Sequence, residues 1–126
     1  MKMNKIAIKY STGTVKETID RLEELLAAKD IKVYARIDQQ WESARAGIKL
    51  PPLEFILFGN PKSGGPLMSL NPFIALDLPL KVIAWQDSTM RTVVAYNTTK
   101  FLKKRYGLQK DLVSNVDISA LIDQIL

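Results

Sequence analysis

The chain has no cysteine and no histidine among its 126 residues. Without cysteine there is no disulfide, no thiolate nucleophile and no sulfur ligand for a metal, and nothing marks an oxidising compartment. Without histidine, the usual general base near neutral pH and the commonest metal ligand are also missing. Ser-His-Asp triads, two-histidine zinc sites and imidazole-ligated haem are therefore excluded. Any catalysis falls to carboxylates, lysine, tyrosine or backbone amides, and neither a metal nor a cofactor is expected. Long apolar runs are missing too. Phe55–Phe58 is the strongest, far short of the roughly 20 residues needed to cross a bilayer. The first ten residues, Met1–Tyr10, interleave charged and apolar side chains and do not place a basic head before an apolar block, so no export signal is expected. These features predict a soluble, cytoplasmic protein with no membrane partner.

What is present fits one globular unit. A chain of 126 residues with 47% hydrophobic and 25% charged side chains can bury a core without covalent staples, and a single domain over 1–126 is expected. Lys and Arg number 18 against 13 Asp and Glu, a net charge of +5. A surplus of that size fits an anionic ligand, nucleic acid or solubility alone, so its location matters more than its sum.

Ile6, Ile8 and Tyr10 alternate with Lys5, Ala7 and Lys9, the period of a strand. Thr14 and Glu17 form a capping-box pattern before Val15, Ile19, Leu22 and Leu26, which recur at helical spacing, with Lys16/Asp20 and Glu17/Arg21 set to pair one turn apart. Ile31–Ile37 alternates again and ends at Asp38. A helical turn follows over Gln39–Ala46, with Trp41 expected to be partly exposed. Leu53–Phe58 reads as a central strand, apolar on both faces. Residues 59–79 hold four prolines and three glycines, yet too many apolar side chains for a solvated linker, and suggest helical turns packed on something, a second subunit included. Leu80–Gln86 and Thr92–Tyr96, joined by Asp87–Arg91, read as a hairpin. A helix capped by Asn97 or Thr98 carries Phe101, Leu102 and Tyr106 and stops at Gly107, and a terminal helix spans Asp117–Leu126. The order β-α-β-β-β-β-α-α predicts an α+β fold in two layers, with an antiparallel sheet of about five strands and helices on one face.

Phe58–Met68, Asn71-Pro72, Ala75–Lys81, Val82–Asp87, Ala95–Asn97 and Phe101–Leu108 together resemble the signature of domain-of-unknown-function family 302, over nearly all of the chain. The resemblance implies a TATA-binding-protein-like fold and a homodimer, and implies no activity. Members of that family often carry an Asp-His pair where this chain has Asp38-Gln39, so a histidine-dependent activity is not expected here.

The candidate sites are few. Gly59, Asn60, Lys62, Gly64 and Gly65 follow a strand, and free amides together with the lysine would suit an anion. The same glycines would also suit a turn with positive φ, and the order of a Walker loop is absent. Asp77 lies between leucines and would be either an acid/base paired with Lys62 or Lys81 or a structural cap. Asp38 and Asn97 at strand ends share that ambiguity. Trp85 and Tyr96, with Tyr34, would line a pocket or fill a core. Lys100, Lys103, Lys104, Arg105 and Lys110 are the one dense basic cluster, read as a solvated helix face more than as a nucleic-acid contact. The function expected is a dimeric binding or accessory domain holding a small anionic or apolar ligand between residues 59–68 and the strands of Trp85 and Tyr96. The alternatives are an enzyme using Asp77 or Asp38 with Lys62, and an interaction module acting through its dimer surface.

Overall fold

The structure, a computed structural model, describes residues 5–126, so Met1–Asn4 of the interleaved N-terminal segment lie outside it. Five strands form one antiparallel sheet: β1 (Ile6–Ser11), β2 (Lys32–Asp38), β3 (Leu53–Gly59), β4 (Leu80–Gln86) and β5 (Thr92–Asn97), in the order β1-β5-β4-β3-β2. The connecting helices are α1 (Val15–Ala28), α2 (Gln39–Arg45), α3 (Pro61–Leu70), α4 (Thr99–Tyr106) and α5 (Ser119–Asp123). Two 3-10 segments, Pro72–Leu76 and Lys110–Val116, complete the set. This is the α+β architecture expected, with β4 rather than β3 at the centre of the sheet.

Helix α1 starts where the capping box puts it. Thr14 Oγ1 accepts from the Glu17 amide at 3.1 Å and Glu17 Oε1 accepts from the Thr14 amide at 3.2 Å, satisfying two of the orphan donors of the first turn. Because Glu17 is committed to the cap, the expected pair with Arg21 does not form. Arg21 instead lies over Gly13, its guanidinium 3.0 Å from where a Cβ would stand, and donates to the Ile125 carbonyl. Strands β1 and β2 run in the same direction at opposite edges of the sheet, so α1 must carry the chain across its whole width. That path lays Ile19, Leu22 and Leu26 over Ile56, Val82 and Val94, and all six are fully buried. Each such side chain contributes about 1.5–3 kcal/mol by leaving water. The C-terminus closes the layer with Ile122 and Ile125, and the Leu126 carbonyl accepts from Thr12.

A second, separate cluster gathers Leu67 of α3, Ile74, Leu102 of α4 and Val116. The segment 59–79 is thus helix and 3-10 turn packed on this chain's own α4 and Lys110–Val116. The terminal helix is shorter than its apolar stripe implied, Ser119–Asp123 in place of Asp117–Leu126, because Asp117 accepts from the Ser119 amide and hydroxyl and turns the chain there.

The sheet face away from these helices is apolar as well. Register aligns Ile8, Ala95, Ile83, Phe55 and Ile37 in one row and Tyr10, Val93, Trp85 and Leu53 in the next. Lys81 stands on this side too, its ammonium 4.6 Å from the centroid of the Phe55 ring.

On the helix side, Arg36 of β2 joins three elements. It donates to Asp20 of α1 at 2.7 Å and to Glu54 of β3 at 2.9 Å, and Glu54 is buried. Truncation strands that carboxylate. Arg36→Met is expected to cost roughly 2 kcal/mol, between the values for an exposed and a buried pair, and Arg36→Met with Glu54→Leu to recover much of it, both read by urea unfolding. Hydrogen bonds from Lys16 and then Arg36 hold the Asp20 carboxyl below the usual carboxylate range. A depressed pKa contributes stability above the unfolded value, about 4, that is lost as pH falls through the folded value. Asp20→Asn is therefore expected to flatten the decline in melting temperature below about pH 4 relative to the wild type.

Candidate functional site

The two clusters do not merge, and the space between them is a cleft of 560 Å³. Its floor is Phe58 at the end of β3. One wall is α3, through Gly64, Leu67 and Met68; the other is the C-terminal segment, through Ile118, Ala120 and Leu121. Leu78, Pro79 and Leu80 close one end, with a cis peptide at Leu78-Pro79. Polar groups are few and include Asn60, Ser63, Asn115, Asp117 and Gln124. An apolar hollow of this size with scattered hydrogen-bonding groups is the usual form of a small-molecule site.

The glycine-rich segment supplies one wall, in a different conformation from that expected. Gly59, Gly64 and Gly65 do not adopt positive φ; among the described glycines only Gly47 and Gly107 do. Asn60 caps α3, its side chain accepting from the Lys62 amide at 2.9 Å, while the Asn60 carbonyl accepts from the amides of Ser63 and Gly64 at 2.9 and 2.8 Å. The amides that would have cradled an anion are thus already committed to the helix. Neither Gly59 nor Gly64 is required by its surroundings, since an added Cβ would meet only ordinary van der Waals contacts. A Cβ on Gly59 would stand 3.8 Å from the Tyr34 ring, and one on Gly64 3.6 Å from Leu78 across the cleft. Gly65 precedes Pro66 inside the helix, where a Cβ would clash with the proline ring.

The other candidates are dispersed. Gly59, Asn60 and Gly64 line the main cleft; Asp77, Tyr96 and Asn97 line a separate recess of 320 Å³; Asp38 borders a third hollow of 500 Å³ beside Thr14 and Glu54. Lys62, Gly65 and Trp85 line none of these three. Trp85 lies on the far face of the sheet, in register with Leu53 and Val93, so it cannot share a ligand with α3. Tyr96 faces the helices and is buried, with the Lys9 ammonium 5.6 Å from its ring centroid. Burial alone would lower the Lys9 pKa, but hydrogen bonds to Asp123 and Tyr96 outweigh it and raise it. Asp38 caps α2 by accepting from the Trp41 amide at 3.0 Å.

Asp77 pairs with neither Lys62 nor Lys81. It ends the Pro72–Leu76 segment and accepts from Arg105 at 3.0 Å and from the Tyr106 hydroxyl, tying α4 to that segment. Sequence reasoning missed Asn115 and Ala120, because nothing local brings residues about 50 positions from α3 to its side, and Leu78, which stands beside Asp77 and reads only as its apolar flank. The apolar stripe of Ile118 and Leu121 was the available signal, carried by the terminal helix expected over Asp117–Leu126.

Burial first, and then the neighbouring Asp77 carboxylate, raise the Tyr106 pKa above the usual phenol value. A raised pKa contributes stability that is complete below the unfolded value, about 10, and is lost as pH rises through the folded one. Tyr106→Phe is expected to cost about 1 kcal/mol at neutral pH and to reduce the loss of melting temperature above about pH 10, as followed by circular dichroism.

Among the described residues no group of three potential metal ligands occurs, and no helix is long and apolar enough to cross a membrane. The family model described as "Domain of unknown function DUF302" matches residues 6–125. The chain is 36% identical over 112 residues to the "Fluoride-specific ion channel FluC 1" of Brucella suis biovar 1 (strain 1330), a match covering 89% of this chain and 43% of that protein. The protein of the same name from Brucella abortus biovar 1 (strain 9-941) matches at 36% over 112 residues, 41% of its length. The chain thus spans less than half the length of these relatives. The crystal structure of the "uncharacterized conserved protein DUF302 from Bacillus stearothermophilus" superposes with a TM-score of 0.83 at 18% identity, covering 96% of this chain and 98% of that one, a likeness of fold. The sheet order, the helical layer and the match over residues 6–125 together establish that this chain belongs to the DUF302 family.

Proposed function

We propose that the chain is a non-catalytic binding domain that takes a predominantly apolar small molecule in the cleft between α3 and the C-terminal segment, and that it works as a homodimer. The observation that carries the first part is the cleft itself: 560 Å³ bounded by Phe58, Leu67, Leu78 and Leu121, with no lysine or arginine except Lys29 among its lining residues. Such a surface favours an apolar body over an anion. The acid/base alternative finds no support in the geometry. Asp77 is engaged by Arg105 and Tyr106, Asp38 caps α2, and these two carboxylates and Lys62 share no hollow. The channel activity named for the Brucella relatives is read as belonging to the part of those proteins outside the match.

The second part is supported by the uncovered sheet face. Five strands about 4.8 Å apart and six residues of about 3.4 Å give a face of roughly 500 Å² in projection. Two such faces remove about 1,000 Å² from water, the lower bound for a specific interface. Neither of the two rows that bring Ile83, Phe55 and Trp85 together contains a charged side chain; Lys81 stands one row beyond Phe55 and Arg91 lies over the Tyr10 ring at 4.2 Å, so these two charges sit at the margin of the surface offered to a second copy.

The uncharged fluorophore 1-aminoanthracene is expected to bind the wild type with a rise in emission, and Gly64→Leu, which fills the cleft toward Leu78, to weaken that binding about tenfold or more while keeping the fold. Unchanged binding in Gly64→Leu would count against the cleft. For the dimer, Ile83→Lys is expected to halve the sedimenting mass. In a Trp41→Phe background it is also expected to shift Trp85 emission to the red as that ring enters water. A wild type that sediments as a monomer at all concentrations would sink the dimer and leave the cleft untouched.

A further inference from the structure

The net charge of the chain is concentrated in one structural unit. Residues 59–80 and 98–110, which contain α3, the Pro72–Leu76 segment and α4, hold six lysines and arginines and one acidic residue, Asp77. The rest of the chain carries 12 basic and 12 acidic residues, so this unit accounts for the whole surplus of +5. Its parts move together, since Leu67, Ile74 and Leu102 share the second core and Arg105 is bonded to Asp77.

The same unit carries the barest apolar corner of the molecule. Leu70 is 72% exposed, Phe73 75% and Leu76 70%, values matched among the other described large apolar side chains only by Met90. A 3-10 helix repeats every three residues, so Phe73 and Leu76 project from one side while Ile74 enters the core. Leu70 ends the preceding helix. Three large side chains left in water within seven positions bring no stability to the monomer and need an occupant.

A second copy is a poor one, because apposing two corners of this unit would bring like charges together. We infer that this corner docks on an anionic phospholipid surface, with Leu70, Phe73 and Leu76 entering the headgroup boundary and Lys100, Lys103 and Lys104 of α4 facing the lipid phosphates. Apolar insertion and basic flanks each bind weakly alone and reinforce one another together. The absence of a spanning helix among the described residues bears on crossing a membrane and not on lying against one. Nucleic acid would use the lysines but leaves Leu70 and Leu76 without a partner.

The test is co-sedimentation of the full chain with vesicles of phosphatidylcholine alone or with about a third phosphatidylglycerol. Binding is expected only to the anionic vesicles and to weaken as salt is raised through the physiological range. Phe73→Ser/Leu76→Ser and Lys103→Glu/Lys104→Glu, all at exposed positions, are each expected to reduce it roughly tenfold or more with unchanged circular dichroism. Absence of binding at low salt would overturn the inference. So would equal binding to neutral vesicles, or vesicle binding indifferent to both pairs. A Phe73→Ser/Leu76→Ser protein that loses sedimenting mass while keeping vesicle binding would assign the corner to a subunit contact. Binding to a duplex DNA fragment without binding to vesicles would assign the lysines to nucleic acid.

Discussion

Leu80 packs against both hydrophobic clusters, and the division of the interior at that residue is the constraint on which the rest of the structure depends. Upstream, Leu78-Pro79 turns the chain out of the second cluster. Downstream, Val82 and Ala84 enter the first. Side chains on either side of the divide fill their own cluster and cannot fill the gap between, which is why a cleft persists over Phe58 in an otherwise close-packed layer. The polar fastenings reinforce the division. Arg36 ties α1 to β2 and β3 within the main layer, and Asp77 ties α4 to the Pro72–Leu76 segment within the smaller one.

The layer architecture was legible wherever one local signal decided an element. The Thr14–Glu17 capping box, the alternation in β1, the Asp87–Arg91 turn and the Gly107 stop all lie where the pattern put them, Gly107 in the left-handed conformation. Legibility failed where long-range packing chose between uses of the same residues. Residues 59–65 carry glycines suited to a loop, and the structure ends β3 with Gly59 and uses Gly64 and Gly65 in a helix, since Asn60 caps it, Pro61 starts it and Gly65 accommodates Pro66. Asp77 was visible as a singular carboxylate. Its partners were not, because Arg105 and Tyr106 stand 28 and 29 positions away.

The candidate site was half legible. Gly59, Asn60 and Gly64 border the cleft, but the facing wall comes from the C-terminal segment, and Trp85 belongs to the other side of the sheet. A strand apolar on both faces, as β3 is at every position but Glu54 and Gly59, leaves two readings open: burial on both faces by this chain, or on one face by this chain and on the other by something else. The helices cover one face only, so β3 and β4 present Phe55, Ile83 and Trp85 to whatever covers the second. The three surfaces therefore differ in chemistry: an apolar hollow, a flat apolar sheet, and a basic corner tipped with Phe73.

Backbone amide shift mapping of the 15N-labelled chain titrated with 1-aminoanthracene tests the central claim most directly, because it separates those surfaces. The account predicts perturbations confined to Gly64, Leu67, Leu78, Ala120 and Leu121, around the divide between the two clusters. Perturbations centred on Ile83, Trp85 and Val93, or none at saturating fluorophore, would contradict it.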